Sequence, residues 1–274
     1  MAFEKILAID VGNTRTKMGC FVEGELVATE HFLTDRSDTH LYLEELEHFS
    51  DISAILVSSV VPELTLTLES VFNAAGFLDR TVWINREWIL QHPSNVNFSH
   101  YQDPLGSDRI ANAIAGHERL LNKNKVICGF GTAATFDMVD EQGLYMGGAI
   151  APGLKAFTES LHLAVPSLPP VMEMTQPGET PGFSTEACLQ NGFYYGYKGL
   201  ILEVLGNLLQ SAGWPLSQVG FIFTGGDAEI AQTMVAFEIP NIQLEPTLAL
   251  WGLYQAWLHN IIVGEGLKPS PTKA

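Results

Sequence analysis

The segment DVGNTRTK, residues 10–17, gathers an acid, a glycine, an asparagine, two threonines and a lysine. A carboxylate such as Asp10 can hold Mg²⁺ directly or through water, Asn13 and Thr14 can donate to phosphate oxygens, and Lys17 can neutralise a transferring group. A glycine turn between strands can leave backbone N–H groups pointing one way, which makes an anion cradle. Gly131, Thr132 and Ala133 can supply an opposing loop, and Gly225-Gly226 at a strand end lets a nucleoside lie close against backbone. Taken singly, each glycine reads as an ordinary turn residue and Lys17 as a solvated strand residue. Their order along the chain points to a nucleotide.

Asp108, in YQDPLGSDRIANAIAG, is the second group of interest. Alone it reads as a helix N-cap or first-turn acid. Beside a substrate loop it can act as a general base, accepting a hydroxyl proton as phosphate arrives. Arg109 is either a surface ion-pair partner or a contact to a small anion, and Tyr101 either packs the loop or faces the substrate.

Strand-turn-strand units must position these groups. Ile6 to Ile9 form a continuous apolar strand, Gly12-Asn13-Thr14 turn, and Glu23-Gly24 signals a second hairpin. Helical spacing follows over Leu41 to Phe49. Ile55 to Val57 read as a buried strand, then a Ser-Ser turn and a helix starting near Pro62. Residues 83–106 read mainly as loop, and SDRIANAIAGHERLLN as a helix capped by Ser107 or Asp108. Residues 167–181 are Pro-rich and read as an excursion, LALWGLYQAWLHNII as a terminal amphipathic helix, and Lys268 to Ala274 as a frayed end.

KVICGFGTAATFDMVDEQGLYMGG repeats the opening architecture. An offset of 119 places Gly12 on Gly131, Asn13 on Thr132, Thr16 on Thr135 and Gly24 on Gly143, with the register kept through both turns. The fold class expected is α/β, as two tandem domains: residues 1–118, with the first phosphate loop and the base, and 119–274, with the second loop and the nucleoside site.

Composition narrows the partners. With 14 basic against 31 acidic residues the net charge is −17, which repels nucleic acid and anionic membrane surfaces, so an anionic ligand must be bound locally. Cys20, Cys128 and Cys188 show neither a disulfide framework nor zinc-ligand spacing, and a cytoplasmic address is expected. No run approaches the roughly 20 apolar residues of a membrane span. The stripe in FYYGYKGLILEVLGNLL reads as core before interface.

Six ordered motifs make the chain resemble the type III pantothenate kinases of the actin-like and sugar-kinase superfamily, duplicated ribonuclease-H-like folds. They are DVGNTRTK at 10–17, SSVVPELT at 58–65, YQDPLGSDR at 101–109, GTAATFD at 131–137, GGAIAPGL at 147–154 and TGGDA at 224–228. The resemblance implies ATP-dependent phosphorylation of pantothenate, the first step toward coenzyme A, with Mg²⁺, in a homodimer. It gives Asp10, Val11, Gly12, Asn13, Thr14, Arg15, Thr16 and Lys17 as the first phosphate loop, with Gly131 and Thr132 in the second. It gives Asp108 as proton acceptor, Tyr101 and Gly106, Ser107, Asp108 and Arg109 as pantothenate contacts, and Thr185 as a substrate contact across the dimer. Ser184 stands where the family has asparagine.

One departure concerns a cofactor. The family carries an aspartate two residues before the glycine of Gly-Thr-Ala, where it helps bind a monovalent cation, K⁺ or NH₄⁺; here the residue is Gly129. Losing a carboxylate removes charge and an oxygen ligand, so reduced potassium dependence is expected, with Asp137 either a substitute ligand or a plain strand-end acid. Two further readings keep the same loops: a kinase for another small hydroxylated molecule, and a nucleotide-binding regulatory or accessory protein. Asp108 separates the last from an enzyme, since a binding module has no need of a base.

Overall fold

The computed structural model describes residues 5–35, 39–48, 51–92, 94–171 and 174–263. The chain forms two compact units, one containing the residues up to Arg119 together with those from Thr247 onward, the other Leu120–Pro246.

In the first unit β1 (Lys5–Val11), β2 (Arg15–Val22) and β3 (Glu25–Leu33) run as antiparallel neighbours, then α1 (His40–His48) leads to β4 (Ile52–Ser59). After α2 (Pro62–Ala74) comes β5 (Thr81–Trp83), and the sheet order is β3-β2-β1-β4-β5. β1 and β4 are nearly continuous apolar runs because both faces of the sheet centre are covered. The hairpin at Glu23-Gly24 has positive φ at both residues, which a two-residue turn matching strand twist requires. Pro62 opens α2 as expected, but Ser58 and Ser59 end the strand and do not form a turn.

α3 (Arg86–Gln91) lies within the stretch expected to be mainly loop; Asn85 caps it, its side chain accepting from the Trp88 N–H at 2.9 Å. α4 (Ser107–Arg119) follows. Its first helical bond runs from the Ile110 N–H to the Gly106 carbonyl, so neither Ser107 nor Asp108 serves as the cap; Asp108 sits in the first turn.

The second unit repeats the pattern with β6 (Asn124–Phe130), β7 (Ala133–Val139), β8 (Tyr145–Pro152), α5 (Leu154–Ala164), α6 (Thr185–Ala212), β9 (Val219–Thr224), α7 (Ala228–Val235) and β10 (Ile242–Leu244). Its order, β10-β9-β6-β7-β8, is that of the first sheet element for element. The fold is therefore α/β with two mixed five-stranded sheets in tandem. Tyr194, Tyr197, Ile201, Leu205 and Leu209 turn the α6 stripe into this unit's core, against Phe221, Phe223 and Phe136.

Two expectations need correction. The register does not survive the first turn: Gly12 donates to the Arg15 carbonyl, whereas Gly131 donates to Ala133, one residue sooner. Asp10 thus pairs with Lys17, while Gly129 pairs with Thr135, so Thr135 occupies the ladder position of Lys17 and not that of Thr16. A longer β7–β8 connection restores the offset near Gly143, since Val139 pairs with Tyr145 where Phe21 pairs with Leu26, and Leu26 and Tyr145 are again 119 residues apart.

The terminal helix α8 (Leu248–Val263) groups with the first unit, not with residues 119–246 as expected. Gly252 explains the contact, because a Cβ there would lie 1.9 Å from the Ala111 carbonyl oxygen; only glycine lets α8 meet α4 so closely. Tyr254 stacks on Phe21 of β2 with ring centroids 4.4 Å apart, fixing the other side. The frayed end expected at Lys268 to Ala274 lies outside the described residues.

Candidate active site

The first unit brings Asp10, Lys17, Ser58, Ser107 and Asp108 to the ends of β1 and β4 and the start of α4. Asp10 pairs across the ladders with Lys17 on one side and Ser58 on the other. The Ser58 hydroxyl donates to Asp10 Oδ1 at 2.7 Å, and the Ser107 hydroxyl donates to the Ser59 carbonyl at 3.0 Å. β4 therefore ties the acid of the first loop to the helix turn that carries Asp108. Ser59 is itself held by Thr65, whose hydroxyl donates to it at 2.7 Å.

Burial raises both acids. Burial and the charge of Asp108 push the Asp10 carboxyl up to about 6, against the Ser58 hydrogen bond and the Lys17 charge. Burial also raises Asp108, opposed by the Arg109 N–H, which donates to its Oδ1 at 2.8 Å, and by the Arg109 charge. Burial lowers Lys17. A buried carboxylate kept more basic than usual is suited to accept a hydroxyl proton.

The turn between β1 and β2 is pinned from below. Thr34 donates through its hydroxyl to the Gly12 carbonyl at 2.8 Å and through its N–H to the Thr14 carbonyl at 3.0 Å, and buried Thr16 lies 2.8 Å from the Tyr42 hydroxyl. Thr16 is thus a brace for the loop, while Asn13, Thr14 and Arg15 stand exposed above it. Val11 is core, and its carbonyl accepts from Val60. A Cβ on Gly12 would lie 2.8 Å from the Arg15 carbonyl oxygen, which reserves that position for glycine.

In the second unit Gly131 and Thr132 are exposed at the β6–β7 turn. Gly153, at the start of α5, donates to the Thr132 carbonyl at 3.2 Å, and a Cβ on it would fall 2.0 Å from the Gly131 oxygen. Gly225 has φ +98°, and its Cβ would fall 2.1 Å from the Phe130 oxygen, which also accepts from the Asp227 N–H. The second loop, the start of α5 and the Gly225-Gly226 turn consequently converge on the end of β6. Gly153, in the GGAIAPGL motif, is the member that residue-type reasoning passed over; its Gly-before-helix position was the available signal.

Tyr101 is half-buried, and Arg109 is buried at 7% exposure within α4, not on the surface. Thr185 is the first residue of α6 in the second unit, whereas Tyr101 and Asp108 belong to the first. Ser184 caps α6, accepting from the Ala187 N–H at 3.1 Å, so serine does the capping work open to asparagine there.

The donor sets discriminate between the cations. Asp10, a partly exposed carboxylate beside a phosphate-type loop, fits Mg²⁺, which is held through one or two carboxylates plus phosphate oxygens. Gly129 offers no carboxylate to a monovalent cation, and the hydroxyl of Thr135 lies 2.8 Å from where a Cβ would start. Asp137 lies mid-strand at 1% exposure and accepts from the Tyr145 hydroxyl at 2.5 Å, which makes it a buried structural acceptor. Among the described residues no group of three His, Cys, Asp or Glu side chains is placed to hold a metal ion, and no helix is long and apolar enough to cross a membrane.

The sequence profile of the type III pantothenate kinases matches residues 6–207. A type III pantothenate kinase of Ruegeria pomeroyi is 33% identical over 266 residues, 93% of this chain and 97% of the relative. One of Bacillus cytotoxicus is 33% identical over 268 residues, 94% and 97% of the two chains. Among solved structures, a conserved putative Baf family transcriptional activator from Campylobacter jejuni superposes with TM-score 0.58 at 18% identity, over 93% of this chain and 99% of that one. A ROK family glucokinase from Streptomyces griseus in complex with glucose and AMPPNP gives 0.53 at 12% identity, over 91% and 97%. The last two speak for the fold alone.

Proposed function

The chain belongs to the type III pantothenate kinase family, and from that premise we propose that it transfers the γ-phosphoryl group of ATP to pantothenate with Asp108 as general base. The observation that supports the base is the tie through β4: the Ser58 hydroxyl donates to Asp10, and the hydroxyl of Ser107, the neighbour of Asp108, donates to the Ser59 carbonyl.

Asp108 accepts the proton of the primary hydroxyl as its oxygen attacks the γ-phosphorus and the bond to the ADP oxygen breaks. In the first unit Asn13 and Thr14 hold phosphate oxygens and Lys17 offsets charge on the transferring group; in the second unit the exposed Thr132 serves as the phosphate contact of its own loop. Gly225-Gly226 lies along the nucleoside. Asp10 would hold Mg²⁺, which supplies charge neutralisation on the phosphates when bound. Tyr101 and Arg109 bind the acceptor, Arg109 through the carboxylate of pantothenate.

The enzyme depends less on a monovalent cation than relatives that carry an aspartate at this position, because Gly129 supplies no carboxylate ligand. It works as a homodimer, in which Thr185 reaches the partner's substrate. Support for this comes from the exposed apolar surface around Thr185, a hollow of about 880 Å³ lined by Phe157, Leu161, Phe183 and Phe193, with Phe183 85% exposed. Its place of work is the cytoplasm, in keeping with three free cysteines.

The test is acceptor profiling with purified protein and Mg-ATP. Phosphopantothenate formed in preference to phosphorylated sugars and polyols supports the assignment; preference for another hydroxylated acceptor, or ATP binding with no acceptor at all, overturns it.

A further inference from the structure

Arg86, the first residue of α3, belongs to none of the motifs above. Its guanidinium forks onto two main-chain carbonyls of the connection to α4: Nη1 donates to the Asp103 oxygen and Nη2 to the Tyr101 oxygen. A planar guanidinium presents its donors at fixed spacing, so two simultaneous bonds define the path of the backbone that accepts them.

That path needs definition. The ends of the connection are fixed by buried Val96, Phe98 and Leu105, and by Asn95, whose side chain donates to the Ile114 carbonyl and to Glu118 Oε1 on α4. Between Phe98 and Leu105 the chain bows outward, with Ser99, His100, Gln102, Asp103 and Pro104 exposed and Tyr101 half-buried. An exposed bow lacks the packing that orders its two ends. The bow then runs directly into Gly106, whose carbonyl accepts the first bond of the helix carrying Asp108.

We propose that Arg86 is a positioning residue for the acceptor site: it clamps the Tyr101–Asp103 bow and thereby sets how Tyr101 is offered to the substrate, without touching substrate itself. The inference rests on the functional reading above. Both carbonyls that Arg86 engages belong to the connection that carries Tyr101 and leads into α4, so the clamp acts on the acceptor side of the site.

Arg86→Lys and Arg86→Met are compared with wild type by steady-state kinetics in each substrate, thermal melting, and amide hydrogen exchange over residues 99–106. A lysine keeps the charge but loses the rigid fork. The expected result for Arg86→Met is a rise of roughly tenfold in KM for pantothenate, with KM for ATP within about twofold. Arg86→Lys should fall between, and millimolar guanidinium should partly restore Arg86→Met. Unchanged pantothenate KM, or both KM values rising together with a lowered melting temperature, overturns the proposal. Should wild type make no phosphopantothenate, the functional reading fails by itself. Exchange then decides the clamp: faster exchange confined to the bow upholds it, and unchanged exchange rejects it.

Discussion

The Ser58 hydroxyl donates to Asp10 Oδ1 at 2.7 Å, and it is one of two influences that hold down a carboxyl raised to about 6. Ser58→Ala removes that influence, so Asp10 takes its proton at a higher pH. The acid limb of kcat/KM should move to higher pH, and stability should fall by about 1 kcal/mol for the lost hydrogen bond. A pH–rate profile identical to wild type would show that Asp10 does not govern that limb.

Asp10→Asn should separate stability from activity. A carboxyl whose folded pKa lies above its unfolded value binds more protons when folded. Stability is therefore fully supported below the unfolded value, near 3.8, and declines as pH rises through about 6. At pH 7 the ionised acid is a burden that asparagine lifts while keeping the acceptor for Ser58. Because Asp10 is partly exposed, solvent screening limits the gain to roughly 1–2 kcal/mol, read as a higher melting temperature above pH 7 with little change below pH 4. Turnover should be lost in the same variant.

Gly225→Ala tests the convergence at the end of β6. Alanine meets a φ of +98° and a carbonyl oxygen 2.1 Å from its Cβ, so the turn must shift. The expected cost is about 2 kcal/mol or more, with weaker ATP binding by calorimetry. A variant that melts and binds ATP like wild type would show that the turn is neither strained nor part of the nucleotide site.

Potassium titration at constant ionic strength, with choline as the replacement, should leave turnover within about twofold of its value without potassium. A steep activation curve would mean that the cation is held by groups other than a residue-129 carboxylate.

The duplicated sheets, the two glycine turns and the placement of Asp108 beside a loop were legible in the sequence because strand periodicity and turn chemistry are local signals. The pairing of Gly129 with Thr135 was not, since a turn one residue shorter leaves its neighbours' identities intact while sliding the ladder. Nor was the docking of α8 on the first unit. That contact depends on Gly252 against Ala111 and Tyr254 against Phe21, partners more than 140 residues apart for the first pair and more than 230 for the second. Ser58 and Ser59 looked like a turn because two serines after an apolar run resemble one. Their roles appeared only when parallel pairing set Ser58 opposite Asp10.

The central claim is that Asp108 takes the hydroxyl proton, and single-turnover formation of phosphopantothenate from Mg-ATP by wild type and Asp108→Asn tests it most directly. Asparagine keeps the acceptor for the Arg109 N–H and the shape of the helix turn. The account predicts a loss of roughly 10²–10⁴-fold in the chemical step, with ATP affinity and melting temperature little changed. A variant that transfers phosphate at close to the wild-type rate would contradict it.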